Sequence, residues 1–266
     1  MKLCKFLLIA ALSMGLLCGC VAEPDPTTPP TEATQPPTTE MNQPPIVETV
    51  PPTEAPTDPA HWEFFLPDLD VEDVIDYFSE VCLGAEFINS GDPSLLQRWE
   101  ETIYYSIEGE PTEKDLEVIE TFGKWLNSVE GFPGMEASPD PERTNLNIYF
   151  CDQEELLQRL GDNFQNTDGG VTFWYQDDII FKAIICIRTD LDQELRNSVI
   201  SEEIYNGLGP IQDTVLRSDS IIWSEFSTPQ ALTPVDELIL RLLYHPSLSC
   251  GMNDAECAEV IRQLYQ

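Results

Sequence analysis

Histidine and basic residues are scarce in this sequence of 266 residues. It has two histidines, His61 and His245, and its 13 Lys and Arg face 48 Asp and Glu, for a formal net charge of −35. Nucleic acid is excluded as a partner, because binding it requires Lys and Arg to displace counterions from phosphates. Zinc hydrolysis of the peptidase type is disfavoured, because it needs at least two imidazoles and a third ligand around one ion. We expect both histidines at the surface.

Several motifs that mark catalytic or cofactor sites are also missing. The chain has no G-x-S-x-G elbow, no Walker A loop and no Rossmann fingerprint, and its cysteines form no C-x-x-C pair. Serine hydrolase, nucleotide-binding, thioredoxin-like and zinc-ribbon interpretations therefore have no support. We expect no cofactor.

The sequence has a single long apolar run, from Phe6 to Leu17. It is shorter than the roughly 20 residues that a membrane-spanning helix needs, and Lys2 and Lys5 precede it, as in a secretory signal peptide. The run ends in Leu17-Cys18-Gly19-Cys20, which resembles a bacterial lipobox, whose final cysteine is diacylated and becomes the new N-terminus. We predict a lipoprotein signal peptide over residues 1–20 with lipidation at Cys20. An ordinary signal peptide with a chance cysteine is the alternative.

Residues 21–60 form a Pro/Thr-rich segment with 12 prolines, nine threonines, seven acids and no base. Such a segment cannot bury enough apolar surface to offset its ordering entropy, and its proline pairs favour an extended polyproline conformation. We predict a disordered tether, either a stalk that crosses a wall or glycan layer or a spacer with no required length. The tether and the lipid on Cys20 together predict that the protein is located at the outer face of the cytoplasmic membrane. Residues 61–266 would then be extracellular or periplasmic.

Residues 61–266 are numerous enough for one domain with a substantial core. They hold 41 acids, which is 48 less the seven of the tether, and 11 bases, which is 13 less Lys2 and Lys5. The resulting charge of −30 should repel anionic lipid headgroups, so the lipid on Cys20 is the expected membrane contact. Solubility explains most such charge, and cation binding or a basic protein partner at the cell surface stays open.

The domain contains five cysteines: Cys82, Cys151, Cys186, Cys250 and Cys257. The odd number leaves at least one thiol free or paired between chains. Cys250 and Cys257 are close enough in sequence to close a small disulfide loop, which an oxidising compartment permits. Buried free thiols are the alternative, and the sequence does not decide the pairing.

Hydrophobic periodicity and capping signals predict a mixed α/β (α+β) domain in which helices and strands alternate irregularly. Helices are expected over 70–83, 112 to about 129, 153–160, about 191 to 208, 233–243 and 253–264. Strands are expected over 102–108, 146–151, 171–175 and 179–188. A turn at 176–178 joins the last two strands in a hairpin, and residues 131–142 are expected to form a loop.

A candidate catalytic or metal-binding motif lies near the C-terminal end of the helix that follows this hairpin. Its sequence is S-E-E-I-Y-N-G-L-G-P-I-Q-D, over residues 201–213. Its spacing resembles the H-E-x-x-H-x-x-G-x-x-H motif of metzincin zinc peptidases. There, two histidines on one helical face and a third beyond a turn bind zinc, and the glutamate is the general base. Glu202, Asn206 and Gln212 stand at the three ligand positions. Glu203 stands at the position of the base and Gly209 at that of the turn glycine.

Later segments extend the resemblance. Asp219–Trp223 resembles the S-I-M stretch of the metzincin Met-turn, with Ile222 in the Met position. This set of segments resembles the bacterial DUF2927 family of domains of unknown function. Its segments E-E-x-x-Q-x-L-G-L-x-x-D, S-I-F, L-T-x-x-D and L-Y-x-P-x-L-x-x-G-M correspond in order to residues 202–213, 220–223, 232–236 and 243–252. The match covers 65–266 in outline and is specific from about 196 onward; Asn206, Pro210 and Ile222-Trp223 depart from it.

This resemblance implies a zincin-like fold whose metal site has been lost, with Glu203 a vestigial catalytic residue at most, and it carries no established activity. The oxygen donors of Glu202, Glu203 and Asp213 suit calcium or magnesium better than zinc. A polar cluster without metal is the simpler interpretation. We therefore expect a binding or scaffolding role with an unknown partner. An active hydrolase that uses acidic residues is the alternative, and a solute-binding transporter lipoprotein, usually longer, is a third.

Overall fold

A computed structural model describes residues 2–3, 66, 68–84, 95–224 and 229–266. The tether, Cys20, His61 and all of the predicted signal peptide except Lys2 and Leu3 lie outside the described residues. The chain divides into two compact units, and every described residue belongs to the unit formed by 1–11 and 59–266. Within the described part of the chain, no helix is both long and apolar enough to cross a membrane.

The described residues form seven strands and six α-helices. The strands are Lys2–Leu3 (β1), Arg98–Trp99 (β2), Ile103–Gly109 (β3), Met135–Ala137 (β4), Leu146–Cys151 (β5), Gly169–Gln176 (β6) and Ile179–Arg188 (β7). The helices are Val71–Leu83 (α1), Glu113–Leu126 (α2), Gln153–Leu160 (α3), Gln193–Gly207 (α4), Pro234–Leu243 (α5) and Asp254–Leu264 (α6). The predicted mixed α/β class is confirmed.

One mixed sheet contains all seven strands. Its order is β1-β6-β7-β5-β3-β4, and β2 pairs in parallel with the first residues of β7. The pairs β4–β3, β3–β5 and β5–β7 are parallel, whereas β6 is antiparallel to β7 and to β1. The β6–β7 hairpin was expected from the sequence. Its turn residues Asp177 and Asp178 both have positive φ, of 52° and 62°, as a two-residue turn of this kind requires.

Capping residues set the helix starts much as the sequence predicted. Asp70, Thr112 and Asn253 each accept a hydrogen bond from the third residue of the following helix, whose side chain reaches back to the cap backbone. Asp192 caps α4 through the backbone amide of Leu195. These contacts satisfy amides that the first helical turn leaves without a partner. Helix starts are therefore local features that a sequence can specify.

α4 is the helix that positions the candidate site, and it is unusual because its buried surface is largely polar. It packs against β6, β7 and α2. The polar and charged residues that it buries are Arg196, Asn197, Ser198, Ser201, Glu203 and Asn206. Buried polar groups destabilise a fold unless they find partners, so this helix either builds a hydrogen-bonded network or retains unpaired groups.

Three sequence expectations need correction. The 131–142 loop contains β4 and a 3-10 turn at Pro141–Arg143, β2 was not predicted, and α2 ends at Leu126 rather than near Val129. β4 is three residues long, and the side chain of Asn127 fixes it by bonding both the N–H and the C=O of Met135. Strands of two or three residues are stabilised by the strands they pair with and have no sequence pattern of their own. A short strand inside a Pro/Gly-rich segment therefore cannot be predicted from the sequence.

The five cysteines of the domain are free thiols. Cys82, Cys151, Cys186 and Cys257 are buried, and Cys250 is half-buried. The thiol of Cys250 donates to the carbonyl oxygen of Arg98 at 3.7 Å. The structure therefore contains no disulfide between Cys250 and Cys257, and it favours the interpretation of these residues as buried thiols.

Candidate functional site

The last turns of α4 carry the residues that the sequence singled out. Glu202 and Asn206 are four residues apart, so they lie on one face, and Glu203 lies about 100° around the helix from Glu202. Glu202 is half-buried, whereas Glu203 and Asn206 are only 1% and 2% exposed. The positions of the base and of the second ligand are thus closed off from solvent.

Glu203 is packed against the start of β6. A Cβ atom at Gly169 would lie 3.0 Å from Oε1 of Glu203, so the glycine at this position leaves room for the carboxyl group. Burial, followed by the charges of Glu202 and Asp213, raises the pKa of Glu203 well above its usual value. Its Oε2 atom has no hydrogen-bond partner among the described residues. Burial therefore favours the neutral form of Glu203 and keeps this side chain away from solvent, where a general base would have to act.

Asn206 has neither amide atom satisfied. Both Nδ2 and Oδ1 are buried and lack a hydrogen-bond partner among the described residues. The great majority of buried polar side chains do have one, so such a residue calls for an explanation, which is often a functional one. Asn206 stands at the second ligand position of the metzincin resemblance, so the unpaired amide belongs to a residue that the sequence singled out.

The chain turns sharply after α4, as the glycine in the pattern predicts. Gly209 has φ +134°, and a Cβ there would come within 2.6 Å of the carbonyl oxygen of Gln97. The indole N–H of Trp99 donates to the carbonyl of Gly207, and the hydroxyl of Tyr244 donates to that of Leu208. These side chains satisfy carbonyls at the end of the helix and hold the turn.

Beyond the turn, the chain attaches to the end of α1. The backbone amides of Ile211 and Gln212 donate to the carbonyl oxygen of Val81. The side chain of Gln212 lies against Gly84, where a Cβ would be 1.8 Å from its Oε1. That oxygen has no hydrogen-bond partner among the described residues, so it makes no bond to Asn206. The structure therefore places the third ligand position beside the C-terminus of α1.

The acidic groups near α4 influence one another strongly. Burial, then the charges of Asp213 and Asp168, raises the pKa of Glu202 to about 8. Asp213 contributes to the raised pKa of Glu203 as well. Like charges that are close together in a poorly solvated place favour protonation of one another. Burial and neighbouring negative charge therefore favour the protonated forms of Glu202 and Glu203.

The segment that carries Ile222 is fixed by the buried carboxylate of Asp236. Asp236 accepts hydrogen bonds from the hydroxyl of Ser220 at 2.7 Å and from the backbone amides of Ile221 and Thr233. Tyr77 of α1 donates its hydroxyl to Ser220 at 3.0 Å. Ile222 itself is buried in the core. The predicted S-I-I-W and L-T-x-x-D segments therefore contact each other directly.

The contribution of α1 was not predicted. Tyr77, Glu80, Val81 and Gly84 all contact the segment that follows α4, although more than a hundred residues separate them in sequence. The periodicity of α1 indicated a helix but gave no information on its partner. A conserved pattern in related sequences would be the signal needed to connect the two segments.

The residues present do not fit a zinc site. Across the described part of the chain, no group of three or more His, Cys, Asp or Glu is arranged to hold a metal ion. His245 follows α5, where burial lowers its pKa, and its Nδ1 accepts a hydrogen bond from the amide of Ser247. Within the described part of the chain, no imidazole joins Glu202 or Asn206 in a group of metal ligands.

A separate cavity of about 330 Å³ lies between α2, α4 and the start of α5. Asn197 and Ser201 of α4 line it, together with Phe122 and Trp125 of α2. Asn197 is nine residues from Asn206, which puts it on the opposite side of a helix that turns about 100° per residue. None of the degenerate metal positions contributes to this cavity.

The fold and site define a mixed α/β domain whose principal helix carries a closed, partly unsatisfied polar cluster. A family model described as Protein of unknown function (DUF2927) matches residues 71–263, and the chain belongs to that family. No curated protein and no solved structure gives a significant match to the chain.

Proposed function

We propose that this chain is a lipid-anchored protein of the outer face of the cytoplasmic membrane, whose domain binds a partner and catalyses no hydrolysis. The observation that carries the proposal is the burial of Glu203 and Asn206, at 1% and 2% exposure. A hydrolytic metal site keeps one coordination position open for water or substrate. Here the positions that would supply the base and a ligand are packed inside the protein.

The architecture around α4 supports descent from a zincin. The helix directly follows an antiparallel hairpin at one side of the sheet, and a glycine with positive φ ends it at the register position of the metzincin turn glycine. The segment with Ile222 lies in the core and is tied to the N-terminus of α5 through Asp236. These features support the proposal of a zincin-like domain whose metal ligands have been lost.

The alternative, a hydrolase that uses acidic residues, lacks a suitable pair of groups. A general acid and a general base need different protonation states near the working pH. The pKa values of Glu202 and Glu203 are both raised, first by burial, so the two groups are not divided into an acid and a base. A binding or scaffolding role agrees better with a site whose central carboxyl and amide are buried.

Zinc binding and peptidase activity test this proposal. We expect the purified domain to bind zinc no more tightly than about micromolar in calorimetry and to cleave no peptide in a generic library. Glu203→Gln keeps the size of the side chain and should change neither result, because Glu203 is buried and cannot contact a peptide or an ion in solution. Tight zinc binding, or cleavage that Glu203→Gln abolishes, would contradict the proposal.

The anchor is tested separately. Replacement of Cys20 by Ala should release the protein from the membrane fraction or leave it unprocessed, because the sulfur that carries the lipid is gone. Cys18→Ala is the matched control, since it keeps a small residue inside the lipobox and should leave anchoring intact. Metabolic labelling with fatty acid measures both. Wild-type protein that carries no label while remaining in the membrane fraction would refute lipidation.

A further inference from the structure

Two adjacent apolar side chains project from the loop that follows the α4 site. Val215 is 66% exposed and Leu216 is 54% exposed. Among the described residues, the other large apolar side chains with this degree of exposure are Leu116 on α2 and Phe181 on β7, each on a different element. Single exposed apolar residues are ordinary, but a neighbouring pair on one loop is a compact apolar tip.

The ends of this loop are joined by backbone contacts. Thr214 and Trp223 form a parallel bridge. The amide of Thr214 donates to the carbonyl of Ile222 at 2.9 Å, and the amide of Ser224 donates to the carbonyl of Thr214 at 3.0 Å. Residues 214–223 therefore form a closed loop, and Val215 and Leu216 lie at its beginning. We call these two residues the apolar tip.

α1 holds the backbone of the apolar tip in place. The carboxylate of Glu80 accepts hydrogen bonds from the amide of Val215, at 3.0 Å, and from the hydroxyl of Thr214. The amide of Leu216 donates to Oγ1 of Thr214 at 3.0 Å. Each backbone N–H of the tip is thus satisfied by a specific side chain, so these two side chains are held outward by a fixed backbone.

The next residue extends this rigid arrangement and places acids around the tip. Arg217 makes two hydrogen bonds to Asp219, at 2.8 and 2.7 Å, and a third to Asp68 at 3.4 Å. Arg217 therefore forms ion pairs with both Asp68 and Asp219. Asp213 precedes the tip by two residues, and Glu80 adds a further carboxylate. Asp213 belongs to the carboxyl cluster of the candidate site, so we call Asp68, Glu80 and Asp219 the acidic rim.

From this arrangement we infer that the apolar tip is a docking element that inserts into an apolar pocket of a partner protein, and that Lys and Arg border this pocket. A preorganised apolar side chain binds without the entropic cost of ordering a loop, which suits it to be an interface anchor. The acidic rim and the charge of the domain favour a basic border on the partner. A second copy of the chain would bring the same acids together, and an anionic membrane surface would repel them. This inference rests on the proposed binding function and names its surface.

Site-specific photocrosslinking of the full-length lipoprotein in intact cells tests the inference. A benzophenone amino acid replaces Leu216 in one variant and Leu116, which is also exposed, in the matched control. We expect one discrete protein adduct from position 216 and none from position 116. Adding Val215→Asp to the 216 variant should lower the yield roughly tenfold, because a charge must then enter the apolar pocket. High salt, applied to washed cells before irradiation, should lower it as well.

Mass spectrometry of the crosslinked peptide decides the outcome. An apolar site with neighbouring Lys or Arg on another protein supports the inference. The inference would be overturned if position 216 gave no adduct, or if position 116 were labelled equally. It would also be overturned by an adduct to lipid, to the same chain or to a second copy of it, or by an acidic crosslinked site. Circular dichroism checks that the Val215→Asp variant is folded, which its exposure leads us to expect. The zinc and peptidase measurements are independent of this result, so the two proposals fail separately.

Discussion

Replacing Asp115 by Ala should lower the free energy of unfolding by about 3–5 kcal/mol, the range found when one partner of a buried ion pair is removed. The carboxylate of Asp115 is fully buried, and the guanidinium of Arg196, 9% exposed, donates to it from Nε at 3.0 Å. Gln193 donates to the same carboxylate at 2.7 Å. Arg196 would keep its bonds to the backbone carbonyls of Thr189 and Leu191 but would lose the only carboxylate with which it forms an ion pair among the described residues.

The same residue gives an expected pH dependence. Burial alone would raise the pKa of Asp115, but hydrogen bonds from Thr112, Gln193 and Arg196 outweigh it and lower the pKa below its ordinary value of 3.8. A carboxyl group with a lowered pKa contributes its full stability above that ordinary value, and the contribution is lost as the pH falls through the lowered pKa. Wild-type protein should therefore lose this stability only in strong acid, and the Asp115→Ala variant should lack it at pH 7.

Urea unfolding of both proteins measures the difference. Lys114→Ala is the matched control, because it breaks the exposed ion pair between Lys114 and Glu117 on the same helix and should cost about 0.5 kcal/mol or less. Equal losses for Asp115→Ala and Lys114→Ala would show that the buried pair does not hold α2 against α4. A large loss for Asp115→Ala alone would show that this ion pair fixes the helix that carries the candidate site.

Much of this fold follows from local sequence signals. The caps at Asp70, Thr112 and Asn253, and the two turn aspartates at 177 and 178, act within a few residues of their own position. Such interactions are local in the chain, so composition and spacing are enough to predict them. The structure confirms these elements and with them the mixed α/β class.

The burial of the candidate site could not be predicted in the same way. E-E-x-x-N on a helix normally indicates a solvated face, but here Gly169 and the adjacent strand enclose Glu203. Likewise, Gln212 contacts Gly84 only because the chain after Pro210 bonds to the carbonyl of Val81. Both contacts join segments far apart in sequence, and a helical period carries no information on which element will cover a given face.

The position of the catalytic register was nevertheless informative. It identified Glu202, Glu203 and Asn206 as special on a helix that buries several polar residues, and Glu203 and Asn206 hold atoms without partners among the described residues. A globular domain tolerates few such atoms, so this part of α4 is an unusual environment. The resemblance singled out these positions, and only the structure showed that Glu203 and Asn206 are buried.

The protonation state of that site leads to a prediction about Glu202. Its pKa is raised from 4.5 to about 8, first by burial and then by the charges of Asp213 and Asp168. The unfolded chain releases this proton near pH 4.5, whereas the folded chain keeps it until about pH 8. The unfolded state therefore binds fewer protons across this interval, and the folded state loses stability as the pH rises through it.

We expect Glu202→Gln to remove part of this loss. If Glu202 were fully buried, a shift of this size would correspond to about 5 kcal/mol. Because the side chain is half-buried, water screens it, and we expect the variant to be more stable than wild type by about 1–3 kcal/mol at pH 8. Near pH 4.5 the two proteins should unfold at the same urea concentration, since the carboxyl group is then protonated in the folded state and half-protonated in the unfolded state.

Urea titrations at several pH values between 4.5 and 8 give the test, with Glu194→Gln as the matched control. Glu194 is exposed in the first turn of the same helix, so its replacement removes one negative charge without touching the buried cluster. If the two variants follow the pH dependence of wild type in parallel, Glu202 is not protonated at neutral pH, and the argument against a carboxylate ligand fails. If only Glu202→Gln flattens the curve, the folded protein holds a proton where the metzincin register would require a metal ligand.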